Sequence, residues 1–560
     1  MPNTPVIPQT NTSRSVTYPR SHVGVILPIL LAVFLFSATL YFWKLGTHAV
    51  TDTDEATHAM VTREMRERND PLTLHFLGKE YFRKPPFAFW LRAGAEGIFG
   101  ETEFALRFFS AVSGVATSVL LAWWAWGLTR KRLPALIGGL LFPLLPVTHI
   151  HTFRNGDTDG VLLGLLTVTA YLFWKSLTRP RLLIVAGAIL GLAFLTKSVA
   201  VLPLLIACGL TLLILRQWPY PVRTVLGAAG ALLVVALPWH IHQFLTHRQA
   251  FWDDYVGYHI LQRTAERIEA SSKTRGLLWY FKAGEKGMFP WSWLVIPTLA
   301  LFVVRIRATL RSHTGELLLF LWGLTTFVLY SLAATKLDWY IAPAYIPWTM
   351  LLAVAIATAF DSFPRWARWL FALTFVVFLA RSIYLARIGV TAAFPFASFG
   401  LRTAVAALAV LGVVCALVSF FFARRVRLPL SRVLAPCALI VFLISGWQTW
   451  IEYEGTLAGE SPFRVFRQTI DATAPTENIY LFDLTFYPRP ATRWYLVNEV
   501  DSPRLIALKE DVNALARVVV DDPKSFVMAK DSWAFAPEIM ARLTKVSSFD
   551  DLILYQITSP

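Results

Sequence analysis

GVILPILLAVFLFSATLYFWK at 24–44, followed closely by TDTDEATH at 51–58, decides the fold. The first stretch is apolar over a length that crosses a hydrocarbon core, because about 20 helical residues cover its roughly 30 Å. The second sets Asp54 and Glu55 directly behind it, and YFRKPPF at 81–87 adds Tyr81, Arg83 and Lys84 to the same loop. Charge at the edge of a bilayer is expensive unless it serves a function. The loop reads as the active-site loop of a membrane protein.

Outward from that loop, the chain keeps the same character. It has 560 residues, 56% of them hydrophobic, and a mean hydropathy of +0.52. The apolar content exceeds that of soluble domains and falls in membrane-length blocks. Counting them gives about thirteen spans, near 24–44, 105–128, 133–152, 159–176, 182–196, 199–215, 224–244, 288–304, 315–334, 341–360, 369–386, 403–423 and 433–450. Arginine and lysine test the phase, since they collect in cytoplasmic loops. With residues 1–22 as a cytoplasmic tail, every second loop is basic: Arg130-Lys131-Arg132, Arg179 with Arg181, Arg216 with Arg223, Arg305 with Arg307 and Arg311, Arg365 with Arg368, and Arg424-Arg425 with Arg427 and Arg432. The first apolar run has no small-residue cleavage site and is expected to stay in the membrane.

The opposite side receives loops 45–104 and 245–287 and everything after 450. In the first loop, an interfacial helix is expected over about 55–68 with Asp54 as its N-cap, and Pro85-Pro86 opens a short apolar segment, FAFWL. From 451 to 560 charged residues return and NIYLFD (478–483), WYLV (494–497), SFVMA (525–529) and DLILY (551–555) look like strands between helices. That is a small extracytoplasmic α/β domain behind the membrane domain of residues 23–450. Cys208, Cys415 and Cys437 all lie in apolar blocks, which excludes a disulfide framework. The net charge of +16 suits positive-inside loops and anionic membrane lipids, and no nucleic acid is implied.

Several charged residues need weighing against plainer roles. Asp54 and Glu55 can simply cap a helix and complement its dipole. RNGDTDG at 154–160, however, brings Asp157 and Asp159 to the same face by the span count, where they too could cap. Lys84, Lys197, Arg263 and Lys336 fall on this side as well, each near a membrane end. Snorkelling explains any single lysine; it does not explain several on the side that the positive-inside rule disfavours. Together they describe a membrane-level cavity of carboxylates and cations, suited to an anionic lipid headgroup. His259 lies one helical turn from Arg263, and Tyr81, Tyr340 and Tyr345 can donate hydrogen bonds there, although an aromatic belt also places tyrosines at this depth. The histidine pairs 149/151 and 240/242 are read as interfacial polar residues rather than metal ligands.

The ordered set DE at 54–55, YFRKPPF, IFG, EFALRFFS at 103–110, GLAFLTKSVA at 191–200, FPWS at 289–292 and TKLDWYIAP at 335–343 resembles the bacterial lipid-linked glycosyltransferases related to protein O-mannosyltransferases. Within them it is most similar to the lipid A aminoarabinose transferases. The resemblance implies an α-helical polytopic C-type glycosyltransferase fold in the bacterial inner membrane, with its site facing the periplasm. It also implies an undecaprenyl-phosphate-linked 4-amino-4-deoxy-L-arabinose donor, a lipid A phosphate acceptor, inversion at the anomeric carbon, and hence lipopolysaccharide modification with polymyxin resistance. By it Asp54 matches the catalytic carboxylate, Asp157 the second acidic position and Lys84 the cation that meets the donor phosphate. No cofactor is implied for certain, and a divalent cation beside the carboxylates is left open. The chain departs from its relatives where A-T-H replaces A-R-Y after Asp-Glu and where Arg83 replaces a carboxylate.

Transfer from a polyprenyl phosphate needs the departing phosphate neutralised and a nucleophile held in line. A hydroxyl acceptor, as in a protein O-mannosyltransferase, would need Asp54 as general base. A phosphate acceptor is already anionic near neutrality, since its second pKa is about 6, and would need none. A lipid transporter, the remaining alternative, should carry charge through its span centres rather than at one face.

Overall fold

The computed structural model describes residues 22–356 and 462–558, apart from 52–53, 217, 263–264, 267–274, 289–290, 310–313, 475, 483–489, 497–503, 509 and 550. Among the described residues, Gly24–Phe42, Glu103–Thr129, Leu182–Leu215, Val222–Gln262 and Thr314–Leu332 are helical, long and apolar enough to cross a membrane. Shorter apolar helices at Arg132–Leu144 and Leu294–Val303 accompany them. The protein is a multi-pass helical membrane protein. The expected spans near 369–386, 403–423 and 433–450, and the end of that near 341–360, lie outside the described residues.

Helix α1 (His22–Phe42) packs against α4 (Glu103–Thr129) and α5 (Arg132–Leu141). The expected span over 133–152 is interrupted: a 3-10 turn at Phe142–Leu144 and a single turn, α6 (Val147–Ile150), follow α5. Pro143 and Pro146 account for the break, since neither can donate to the helical ladder and each ring crowds the carbonyl four residues back. α7 (Asp159–Ser176) runs beside α8 (Leu182–Lys197), which packs in turn on α10 (Val222–Phe251). A β-carbon at Gly187 of α8 would collide with the carbonyl of Ala228 in α10, so glycine lets these two backbones touch. Lys197 leaves helical geometry (φ −158°, ψ 75°) before α9 (Leu202–Leu215) begins. α10 kinks at Arg248 (φ 44°, ψ −110°) and passes into a π-helical stretch, Trp252–Gln262. Beyond it come α11 (Trp279–Gly287), α12 (Ser292–Thr309), α13 (Thr314–Leu332) and α14 (Ala342–Val354).

The first loop is a folded unit. α2 (Asp54–Glu67) starts one residue earlier than expected, so Asp54 stands in its first turn rather than at its cap. Most of it is buried, from Glu55 through Met65, because neighbouring elements enclose it. The hairpin of β1 (His75–Phe76) and β2 (Lys79–Glu80) turns at Leu77 and Gly78, both at positive φ (53° and 77°). Twist of that hand closes a two-residue hairpin, and the Glu64 carboxylate accepts both turn amides. α3 (Phe87–Phe99) follows Pro85-Pro86; at ~1.5 Å per residue it is too short to span.

Residues 462–558 form a five-stranded sheet in the order β4-β3-β5-β7-β6, with strands Ile479–Leu481 (β3), Leu505–Ala507 (β4), Phe526–Lys530 (β5), Leu543–Phe549 (β6) and Leu552–Ile557 (β7). β3 runs parallel to β4 and β5, while β7 is antiparallel to β5 and β6. Of WYLV, Trp494, Tyr495 and Leu496 do not join it but belong to a helix, Pro490–Leu496. Tertiary packing overrides strand propensity there, since Trp494 and Tyr495 share a core with Phe463, Phe466, Ala56, Ala59 and Met60. The Tyr495 hydroxyl accepts from the Val50 amide (2.7 Å) and donates to Glu103 (3.1 Å). Arg63 of α2 donates to the Trp494 carbonyl (2.9 Å), and Arg464 to that of Thr47 (2.6 Å). The sheet region thus sits on the back of α2.

Candidate active site

Five segments meet at one end of the helix bundle: the start of α2, the 81–84 loop, the 150–159 loop, the end of α8 and the turn Asp338–Ile341. They bring together Asp54, Lys84, His151, Asp157, Asp159, Lys197 and His58. Helical spacing puts His58 on the same face of α2 as Asp54. α7 starts at Asp159, whose carboxylate takes Lys197 in two-pronged contact, 2.8 and 2.9 Å. The same ammonium lies over the Tyr340 ring, 5.1 Å from its centre. Asp157 faces His58, with Nδ1 to Oδ1 at 3.4 Å. His151 stacks on Trp339 at 3.8 Å, joining the 150s loop to the Asp338–Ile341 turn.

The charges shape one another. Asp54 is exposed, yet it stands among these charged groups. Burial pushes its carboxyl up, but Lys84, then His58, Lys197 and His151, hold it below its ordinary range. Lys84 is drawn down by burial and by the like charge of Lys197, against the pull of Asp54, Asp157 and Asp159. Two ammonium groups close enough to repel make a seat for an anion. Burial, then Asp159 and Asp54, push Asp157 up to about 7. Burial draws His58 well down, and His151 down as well.

Beneath these groups is a rigid support. Glu55 is buried and both its oxygens are engaged: Arg107 holds them at 2.7 and 3.0 Å, and the amides of Gly156 and Thr51 donate at 2.8 and 2.9 Å. Glu55 therefore ties α2, α4 and the Asp157 loop together. Arg92 of α3 donates to the carbonyls of Gly156, His58 (3.3 Å) and Leu106 (3.5 Å). A cavity of about 200 Å³ lies beside this support, lined by His48, Thr51, Arg107, His151, Arg154 and Asn155 among others.

Other sequence candidates stand apart. Tyr81 is buried at the site's wall against Phe89 and Phe76. Arg83 is exposed and acts on Asp254, which also faces His259 at 3.8 Å. Lys336 is buried and donates to the Ala333 carbonyl. Tyr345 lies in the bundle core, its hydroxyl on the Ala283 carbonyl at 3.2 Å. Arg263 lies outside the described residues. Among the described residues no three carboxylates, imidazoles or thiols stand close enough to hold a metal ion. In the sequence His58 stands out only as a departure from the relatives and His151 only as an interfacial polar residue; the signals for a site role were the four-residue spacing of His58 from Asp54 and the closeness of His151 to RNGDTDG.

The family model described as dolichyl-phosphate-mannose-protein mannosyltransferase matches residues 83–241. An undecaprenyl phosphate-alpha-4-amino-4-deoxy-L-arabinose arabinosyl transferase of Aeromonas salmonicida is 30% identical over 332 residues, 58% of this chain and 59% of that protein. A namesake from Pseudomonas fluorescens is 30% identical over 342 residues, 59% and 56% of the two chains. The chain thus spans less than two thirds of these relatives' length. The crystal structure of ArnT from Cupriavidus metallidurans bound to undecaprenyl phosphate superposes with a TM-score of 0.68 at 18% identity, over 96% of this chain and 99% of that one. The chain has the ArnT fold. The apo structure of the same protein agrees, with a TM-score of 0.66.

Proposed function

We propose that the protein is a glycosyltransferase that moves 4-amino-4-deoxy-L-arabinose from undecaprenyl phosphate to lipid A phosphate groups at the periplasmic face of a bacterial inner membrane. The observation that carries this reading is the pair of mutually repelling cations, Lys84 and Lys197, set among Asp54, Asp157 and Asp159 at one end of the bundle. The named relatives transfer this sugar, and the ArnT structure holds undecaprenyl phosphate. The frame we propose has about thirteen spans, with 45–104, 245–287 and the 462–558 sheet region on the periplasmic side.

In this mechanism Lys84, assisted by Lys197, neutralises the charge that grows on the departing phosphate. The acceptor phosphate attacks the anomeric carbon as an anion, so no base has to take a proton from it. Asp54, kept ionised by Lys84, pairs with the cationic amine of the sugar, and Asp159 holds Lys197 in place. Glu55, locked onto Arg107, fixes the distance between the Asp54 and Asp157 segments. A hydroxyl acceptor, with Asp54 taking the proton, is the alternative reading, and the names of the arabinosyl transferase relatives do not favour it.

The test is mass spectrometry of lipid A from cells with and without the protein, with Asp54→Asn as control. A phosphate-linked pentosamine that requires Asp54 is expected. Unchanged lipid A, with the protein folded and the donor present, refutes the acceptor and turns the assignment to the hydroxyl.

A further inference from the structure

His58 and Asp157 form a buried couple that the mechanism above does not yet use as one. Their facing atoms are 3.4 Å apart and each side chain is 1% exposed. Among the described residues, His58 Nδ1 and Asp157 Oδ2 have no hydrogen-bond partner, while Oδ1 accepts the Thr158 amide at 2.7 Å. A bare imidazole nitrogen against a bare carboxylate would set two acceptors face to face in a dry place. A proton on the line between them removes that cost.

The neighbours decide what a further proton does. Asp54 faces the couple from α2, Lys84 from the 81–84 loop, Arg92 from α3, Asp159 from α7 and Lys197 from α8. Arg92 is committed to carbonyls and Lys197 to Asp159, and Glu55 and Arg107 close on each other. Asp54 has Lys84 foremost among its cations. Among the described residues, the one ion-pair partner of Asp157 is an imidazole.

We propose that binding of the donor's phosphate is coupled to uptake of one proton by the His58–Asp157 couple, an inference that rests on the donor reading above. An anion entering among three aspartates and two lysines adds negative charge where little water can screen it. Asp157, whose one ion-pair partner among the described residues is the His58 imidazole, relieves that repulsion by accepting a proton from solvent at Oδ2. The His58 N–H stays on Oδ1, and no covalent bond other than the new O–H changes. His58 is a positioning residue: it holds one oxygen so that the other is left for the proton. Burial and the two neighbouring aspartates already bring Asp157 to about 7, so a small additional push completes the protonation near neutrality.

The test titrates the full-length protein in detergent with undecaprenyl phosphate, in buffers of different ionisation enthalpy, and counts protons taken up per phosphate bound. Uptake should peak at a fraction of one proton per phosphate in mildly alkaline buffer and fall in acid buffer, where Asp157 already carries the proton. Asp157→Asn should lose this uptake, the ligand's own titration being common to both proteins. His58→Gln should move the pH of half-maximal uptake. Infrared difference spectra should show a carboxylic-acid C=O band on adding undecaprenyl phosphate, absent from Asp157→Asn, a signal that mere loss of stability does not create. Equal uptake in the wild type and Asp157→Asn, no new carboxylic-acid band in the wild type, or an unmoved midpoint in His58→Gln overturns the coupling and leaves the donor reading standing. Failure of the wild type to bind undecaprenyl phosphate saturably overturns the donor reading, and the coupling with it.

Discussion

Arg107→Met removes the guanidinium that ties three segments together. Arg107 binds both Glu55 oxygens, at 2.7 and 3.0 Å, and also reaches the carbonyls of Leu45 (3.0 Å), His48 (2.9 Å) and Ala49 (3.0 Å). The paired side chains are 4% and 0% exposed. Taking away one partner of so buried a pair leaves a charge uncompensated, at about 3–5 kcal/mol. Methionine fills much of the vacated stem, so the charge dominates. At about 1.4 kcal/mol per tenfold change, that cost raises the opening equilibrium of the 45–58 segment roughly 10²- to 10⁴-fold. Amide hydrogen exchange on peptides covering 45–60 and 150–160 reads it, because the Gly156 amide also rests on Glu55. Burial raises the Glu55 carboxyl while Arg107, Thr51 and Gly156 bring it below its ordinary range. Without Arg107 it should take a proton more readily, so the variant's deficit should shrink as pH falls. Glu55→Gln with Arg107→Met should recover most of the protection, since the amide carries no charge. A single variant within about 1 kcal/mol of wild type, or a double variant no better than the single, would refute the reasoning.

Four further changes test other parts. Lys197→Met strands the Asp159 carboxylate, 6% exposed, at a cost of about 3–5 kcal/mol; adding Asp159→Asn should restore thermal stability but not sugar transfer. Gly156→Ala places a β-carbon 2.6 Å from Leu106 Cγ and 3.2 Å from Glu55 Cγ, so thermal unfolding should show a loss of about 1–3 kcal/mol and turnover should fall with it. Tyr495→Phe leaves the buried Val50 amide without its acceptor, about 1–3 kcal/mol, and limited proteolysis should detach the sheet region sooner. Asp157 titrates in the native state at about 7 against an ordinary 3.8. A raised carboxyl means that the native state binds more protons, so the contribution of Asp157 to stability should fall as pH rises between those values, against the opposite contribution of His58 and His151, which are drawn down. Asp157→Asn should lack that fall, as melting curves on either side of the window can show.

Much of the frame was legible because it follows from local rules. The run at 24–44 became α1, and Pro85-Pro86 opened a helix too short to span. The prolines at 143 and 146 were equally visible, yet hydropathy averaged over the window hid the break they impose between α5 and α6. WYLV has strand-forming residues, but its helix is decided by the neighbours that bury it, which no local pattern contains.

The same distinction separates Asp54 from Glu55. The two are adjacent, so on α2 they point roughly 100° apart, and only one can face the Lys84 side. Sequence spacing cannot say which, because the choice depends on Arg107, 52 positions away in the chain, being aimed at Glu55. Once Glu55 is turned inward by that guanidinium, Asp54 must turn toward Lys84, and the residue one helical turn on must follow it. His58 was therefore predictable as soon as the roles of Asp54 and Glu55 were fixed; Asp157 is visible in RNGDTDG, but its pairing with His58 was not, because Asp157 is delivered by a loop whose path is set by the Gly156 amide on Glu55.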